Sequence, residues 1–145
     1  MNLFFDVDYT ILGPNDNLRP HTRTVFEQLV EDGHRIYIWS GVGIRWWDVR
    51  EHGLGDLVTE CYVKPLSDLA NRLAEKGIPL VPDFVVDDYP EPPAAFGGVH
   101  VTPYYFPRET DTEMQRVFQI VRDVVATGTS TDEKYRAPRQ RSPIP

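Results

Sequence analysis

The chain has 145 residues, of which 41% are hydrophobic and 26% charged, and its formal net charge is −7. That size and composition can close one globular core and exclude a disordered chain, while the negative charge argues against a general nucleic-acid-coating role and leaves only a local basic groove open. Cys61 is the single cysteine, so neither an intrachain disulfide nor a cysteine-ligated zinc is available.

No apolar run approaches the ~20 residues that span a bilayer. The opening MNLFFDVDYT has no basic stretch and sets acids inside a short apolar run, so it does not read as a secretory signal, and a cytoplasmic location is expected.

Along the chain, Leu3-Phe4-Phe5 reads as a buried strand. About Pro20 to Glu31 reads as a helix, with Val25, Phe26, Leu29 and Val30 at helical spacing and Gly33 as its stop. Arg35 to Trp39 reads as a second strand, and about Ile44 to His52 as a helix closed by Gly53. Cys61-Tyr62-Val63 is a third strand, and Ser67 to Lys76 a helix ending at Gly77. Phe84-Val85-Val86 and Val99-His100-Val101 are a fourth and a fifth strand. Thr112 to Ala126 is the last helix, with Met114, Val117, Phe118, Val121, Val124 and Val125 on its core face.

Strands alternating with helices predict parallel pairing through right-handed crossovers. Short, wholly apolar strands predict a sheet covered on both faces. The expected fold is a three-layer α/β/α Rossmann-like sandwich around a mainly parallel five-stranded sheet, one domain over residues 1–127. Residues 128–145, rich in Thr, Ser, Arg and Pro and without periodicity, read as a disordered tail.

In open α/β sheets, ligands gather beyond the carboxyl ends of the strands. The first strand ends in Asp6-Val7-Asp8-Tyr9-Thr10, the second in Ser40-Gly41, and the fourth in Asp87-Asp88, while Lys64-Pro65 follows the third. Any one of these could be a cap or turn residue, but four concordant ends are hard to attribute to capping. Asp6, Asp87 and Asp88 together repel one another unless a cation neutralises them. Magnesium suits such a site because it takes oxygen ligands and is held by carboxylates plus substrate phosphate. Lys64 supplies a compact positive charge, and Ser40 with the amides around Gly41 can donate to phosphoryl oxygens. On an extended chain Asp8 shares the face of Asp6, so that one carboxylate can attack while the other handles protons.

This order of residues resembles the haloacid dehalogenase superfamily of phosphohydrolases, over about residues 2 to 105. Asp6-Val7-Asp8-Tyr9-Thr10 matches its DxDxT motif, and Ser40, Lys64 in a Lys-Pro setting, and Asp87-Asp88 stand for the other three. The resemblance implies a magnesium-dependent phosphatase. Asp6 is then the nucleophile that forms an aspartyl phosphate, and Asp8 the general acid and then base, its main-chain carbonyl also a metal ligand. Ser40 and Lys64 hold the phosphoryl group, and Thr10 supports the turn after the strand, counted with Gly41 and Arg45 among the substrate-binding residues. Asp87 ligates the metal directly, and Asp88 directly or through water. Tyr9 stands where many members have Gly. The second acid, Asp8, favours phosphate-ester hydrolysis over dehalogenation. Only Ile11 to Arg19 separate the first motif from the first helix, and one helix fits into each later gap, which leaves no room for a cap domain. Capless relatives tend to act on macromolecules or to close their site with a neighbouring subunit, so a phosphorylated macromolecule and a homo-oligomer are both expected.

Local features add to this. Arg45 can meet a phosphate with a neighbouring Trp stacking on a base or sugar, or Trp46 and Trp47 can simply pack between sheet and solvent. Tyr89 to Pro93 reads as a connecting loop or a stiff wall, and Pro103 to Pro107 as packing, substrate platform or dimer contact. His21, His34, His52 and His100 show no metal-ligand spacing. Competing functions are a 3′-phosphatase of nucleic-acid ends, for which no basic stripe is seen, and a non-catalytic phospho-binding or receiver-like module. A receiver would carry its phosphorylated Asp after the third strand, where this chain has Lys64.

Overall fold

A computed structural model describes residues 1–139 as an α/β fold built on a six-stranded, mostly parallel sheet. The strands are β1 (Asn2–Phe5), β2 (Arg35–Ser40), β3 (Val58–Val63), β4 (Phe84–Asp87), β5 (Gly98–His100) and β6 (Tyr135–Arg136), in the order β3-β2-β1-β4-β5-β6. All neighbours run parallel except β5 and β6. The helices are α1 (Thr22–Glu31), α2 (Trp46–Glu51), α3 (Glu91–Phe96) and α4 (Glu113–Thr127). No helix among the described residues is long and apolar enough to cross a membrane.

The strands are apolar on both faces because both faces are buried. Leu3 and Phe5 of β1, Ile36 and Ile38 of β2, and Phe84 and Val86 of β4 join one core with Val25, Phe26 and Leu29 of α1, Val49 of α2 and Val117 of α4. Their alternating neighbours Phe4, Tyr37, Trp39 and Val85 join a second core with Leu73, Ile78 and Phe96 of α3. In that second core Phe4 stacks on Tyr37 at 4.9 Å between ring centroids and meets Trp39 edge-on at 4.8 Å, an arrangement favoured by ring quadrupoles. On α1 and α4 the apolar stripe is narrower than the sequence suggests. Val30 and Val125 are exposed, and Ile120 takes a buried place on α4.

Three segments differ from the sequence reading. Ser67 to Lys76, expected as a helix, forms two single 3-10 turns, Leu69–Asn71 and Ala74–Lys76. Asp68 sits at φ 49, which breaks any helix at its first turn, while Leu69 and Leu73 still reach the second core. Tyr89 to Pro93, expected as a connecting loop or a stiff wall, runs into a helix, Glu91–Phe96. Pro92 and Pro93 occupy its first turn, where the missing N–H groups would have had no intrahelical partner. Part of the segment read as a disordered tail is ordered. Tyr135 pairs with Val99 and Arg136 with Gly98, which makes the sheet six-stranded rather than five-stranded. Arg116 of α4 anchors this return by donating to Asp132 through Nε at 2.7 Å. The remainder of that tail, residues 140–145, lies outside the described residues.

Gly98 is required where β5 meets β4. It sits at φ 140, and a Cβ there would lie 1.9 Å from the carbonyl oxygen of Val85.

The topology decides which strand ends meet. From β1 the chain steps outward through α1 to β2 and through α2 to β3. It then returns past β2 and β1 to β4 and continues outward to β5. The direction therefore reverses between β1 and β4, and a crevice at the carboxyl ends of two such strands is where open α/β sheets bind ligands.

Candidate functional site

The chain leaves β1 in a tight turn. The Val7 carbonyl accepts the amides of Thr10 at 3.1 Å, Ile11 at 3.0 Å and Leu12 at 3.1 Å. Tyr9 adopts φ 62, the left-handed region that glycine occupies most easily. The turn folds Thr10 back under Asp6. Its hydroxyl lies 3.1 Å from Asp6 Oδ2 and 3.2 Å from Asp88 Oδ1, so its one proton serves two carboxylates, and it accepts the Asp88 amide at 3.1 Å. Thr10 is fully buried, and its hydrogen bonds support the turn after β1 and orient the acids.

Lys64, carried in from the end of β3, donates to Asp6 Oδ1 and to Asp87 Oδ2, both at 3.0 Å. The Tyr89 amide donates to Asp87 Oδ1 at 2.9 Å, and His100 Nε2 lies 2.8 Å from the Asp88 carbonyl oxygen. Asp6, Asp87 and Asp88 are all buried, and each offers an oxygen within 4.8 Å of the others. Three carboxylates thus face one ammonium, and the imbalance appears in their acidities. Burial, reinforced by the charge of Asp6, pushes Asp87 up to about 6 despite Lys64. Burial, contact with Asp6 and the two neighbouring charges push Asp88 up to about 7. Burial works against the Lys64 ammonium, but Asp6 and Asp87 outweigh it and raise its pKa.

Asp8, Ser40 and Arg45 form a second, more exposed group. Arg45 grips Asp8 through both terminal nitrogens, at 2.8 Å and 3.1 Å. It also donates to Asp48 Oδ2 at 2.6 Å and to Ser40 Oγ at 3.3 Å. The Ser40 hydroxyl additionally accepts the Val42 amide at 3.2 Å, so both of its bonds are accepted ones and its own hydrogen is left to donate. The two groups are tied together by backbone, because the Lys64 amide donates to the Ser40 carbonyl at 2.9 Å. The Asp8 carboxylate stands outside the acidic triad. Its carbonyl accepts none of the hydrogen bonds that close the turn. Gly41 continues from β2 beside Ser40, half-buried and with no side chain to obstruct the edge. Trp46 is half-buried and donates to Glu60 at 3.1 Å, which is a packing role, whereas Trp47 is exposed.

Two residues escaped sequence reasoning. Asp48 looks like an ordinary helix acid. Arg19 is fully buried and pairs with Asp111 through Nε at 2.9 Å and a terminal nitrogen at 3.0 Å. It also donates to the carbonyls of Thr10 at 3.1 Å and Thr102 at 2.6 Å, and so holds the turn from behind. Its partner lies 92 residues away, and no local pattern announces such a pair.

The donor set fits a divalent, oxygen-seeking cation: three buried carboxylates, too many for Lys64 to neutralise, in mutual reach. No family model, curated protein or solved structure matches the chain.

Proposed function

We propose that this chain is a magnesium-dependent phosphatase of the haloacid dehalogenase type, with a three-layer α/β/α fold and no cap, which hydrolyses a phosphate monoester through an aspartyl phosphate on Asp6. The observation that carries the reading is the convergence of Asp6, Lys64, Thr10, Asp87 and Asp88 at the point where the sheet order reverses.

Asp6 is oriented for attack. Lys64 fixes one of its oxygens and Thr10 the other, so its rotamer is set before a substrate arrives. Lys64 also offsets the repulsion between Asp6 and an approaching phosphate dianion. Ser40, with an unspent hydroxyl hydrogen, and the amides beyond it are placed to donate to phosphoryl oxygens. Asp8, half-exposed at the mouth, protonates the leaving oxygen and later takes a proton from the hydrolytic water. Asp6, Asp87, Asp88 and the Asp8 carbonyl are the groups that would hold magnesium, which supplies the positive charge that lets a phosphate dianion sit among carboxylates.

The site is open. Tyr9, Trp47, Tyr89, Tyr105 and Phe106 are exposed on segments that follow β1, β2, β4 and β5, and no inserted domain covers them among the described residues. Such a rim suits a phosphate presented on a large substrate. The buried, unreactive Cys61, its thiol pushed up to about 12 chiefly by burial, fits a reducing cytoplasm.

A phosphate-release screen over phosphosugars, nucleotides, phosphopeptides and 3′-phosphorylated oligonucleotides, with magnesium and with chelator, tests this reading. Turnover that requires magnesium and disappears in Asp6→Asn is expected. Release that survives in Asp6→Asn removes the nucleophile, and absence of release from every substrate removes the phosphatase.

A further inference from the structure

Among the described residues the Asp8 carboxylate is held by Arg45 alone. Both of its oxygens accept from the two terminal nitrogens of one guanidinium. Arg45 in turn does not float on the surface. Its side chain is 16% exposed, against 46% for Asp8, and its Nε is locked to Asp48, whose side chain is 15% exposed. A planar guanidinium with five donors imposes direction as well as charge, which an ammonium cannot do. The order of dependence is therefore Asp48, then Arg45, then Asp8. The same guanidinium donates to Ser40 Oγ at 3.3 Å, which ties Asp8 to the end of β2.

We propose that Arg45 is a positioning residue that aims Asp8 at the leaving oxygen, and that Asp48 holds Arg45 for this task. The inference rests on the phosphatase reading and adds to it the residue that governs proton delivery. In the first step an Asp6 oxygen forms a bond to phosphorus and the phosphorus–oxygen ester bond breaks. Asp8 enters this step with one oxygen released from its Arg45 nitrogen and carrying a proton; the departing oxygen takes that proton and leaves as an alcohol, and the restored carboxylate regains both hydrogen bonds. In the second step water bonds to phosphorus and gives its proton to Asp8. The bond between phosphorus and Asp6 then breaks, releasing inorganic phosphate. Both steps require Asp8 to face the oxygen that gains or loses a proton, and its exposure otherwise lets it turn toward solvent.

The test uses leaving groups of different basicity on the full chain with saturating magnesium. An alkyl phosphate such as glycerol 2-phosphate needs a proton on its departing oxygen, whereas p-nitrophenyl phosphate departs as a stable phenolate. Arg45→Gln is expected to lower kcat/KM for the alkyl ester by roughly 10²-fold, with a loss for the aryl ester at least tenfold smaller. Asp48→Asn is expected to show the same selectivity at smaller amplitude. Arg45→Lys, which keeps the charge and loses the fork, is expected to resemble Arg45→Gln. Equal losses on both esters, full rescue by Arg45→Lys, or a tenfold weaker magnesium requirement in Arg45→Gln would each overturn the proposal while leaving the phosphatase standing. If the unaltered chain releases phosphate from neither ester nor any substrate of the wider screen, it is the phosphatase reading itself that fails.

Discussion

Two clusters of buried charge meet at Thr10 and differ in balance. On one side Arg19 and Asp111 form a one-to-one pair, and the remaining guanidinium donors go to the carbonyls of Thr10 and Thr102. Its face also lies 5.2 Å from the Tyr104 ring centroid. On the other side Asp6 and Asp87 share Lys64 while Asp88 has no cationic partner among the described residues, and two of the three acids are driven toward neutrality by burial and by one another. A matched, fully bonded pair is a structural strut, since each charge already has its partner. A buried excess of one sign stores repulsion that only a proton or a cation relieves. Thr10 separates the two clusters, with its carbonyl on the strut and its hydroxyl on the acids.

The contrast is broken most sharply at Asp6. Asp6→Asn is expected to reduce magnesium-dependent phosphate release by at least about 10⁴-fold, as removal of a nucleophile does. In metal-free protein the same change is expected to raise Tm, because it removes one of three crowded carboxylates. Circular dichroism melts in chelator check this, and a lower Tm would mean that the acids are not in excess.

At the strut the opposite holds. Arg19→Leu strands Asp111 and releases the Thr10 carbonyl, at an expected cost of about 3–5 kcal/mol. Denaturant unfolding measures it, and a loss under about 1 kcal/mol would show that the pair is not the anchor its burial implies.

The pH dependence separates the clusters more gently. Asp87 and Asp88 hold protons more tightly in the folded chain than in the unfolded one, where carboxyls titrate near 4. Between about pH 4 and 7 the folded state therefore binds more protons, and stability contributed by these groups falls as pH rises through that window. Metal-free Tm is expected to fall from pH 5 to pH 8, with a shallower fall in Asp87→Asn. Magnesium is expected to raise Tm more at pH 8 than at pH 5, since at pH 5 it competes with protons for the same oxygens. Parallel melts with and without magnesium decide the sign.

The smallest effect is at Tyr9. Its left-handed backbone costs roughly 1 kcal/mol, and its ring meets Tyr105 edge-on at 4.9 Å. Tyr9→Gly is expected to lie within about 1 kcal/mol of the parent and above Tyr9→Ala, which keeps the strain and loses the ring. The reverse order would show that the turn is not strained.

Strand ends were the most legible part of this chain. Asp6, Lys64 and the pair Asp87-Asp88 are readable because each directly follows a short apolar run, and parallel strands bring such ends to one edge. The helix at Glu91–Phe96 was hidden by Pro92 and Pro93, since a proline pair reads as a break unless it falls in a first turn. Leu69 and Leu73 show helical spacing yet open two separate 3-10 turns, Leu69 as a first residue and Leu73 as a cap, because joining the second core needs their side chains and not a regular backbone. The strand at Tyr135–Arg136 has no signature of its own, being two residues held by an edge and by Arg116.

The sequence by itself determined which polar groups end the strands and on which edge they stand, because apolar periodicity and the polar residue that ends each run are local properties. Only the tertiary structure decided who partners whom. Arg19 with Asp111, Arg45 with Asp8, and Thr10 between Asp6 and Asp88 are contacts between distant segments. Their existence depends on how the sheet and its helices pack, and no spacing along the chain encodes a distance across it.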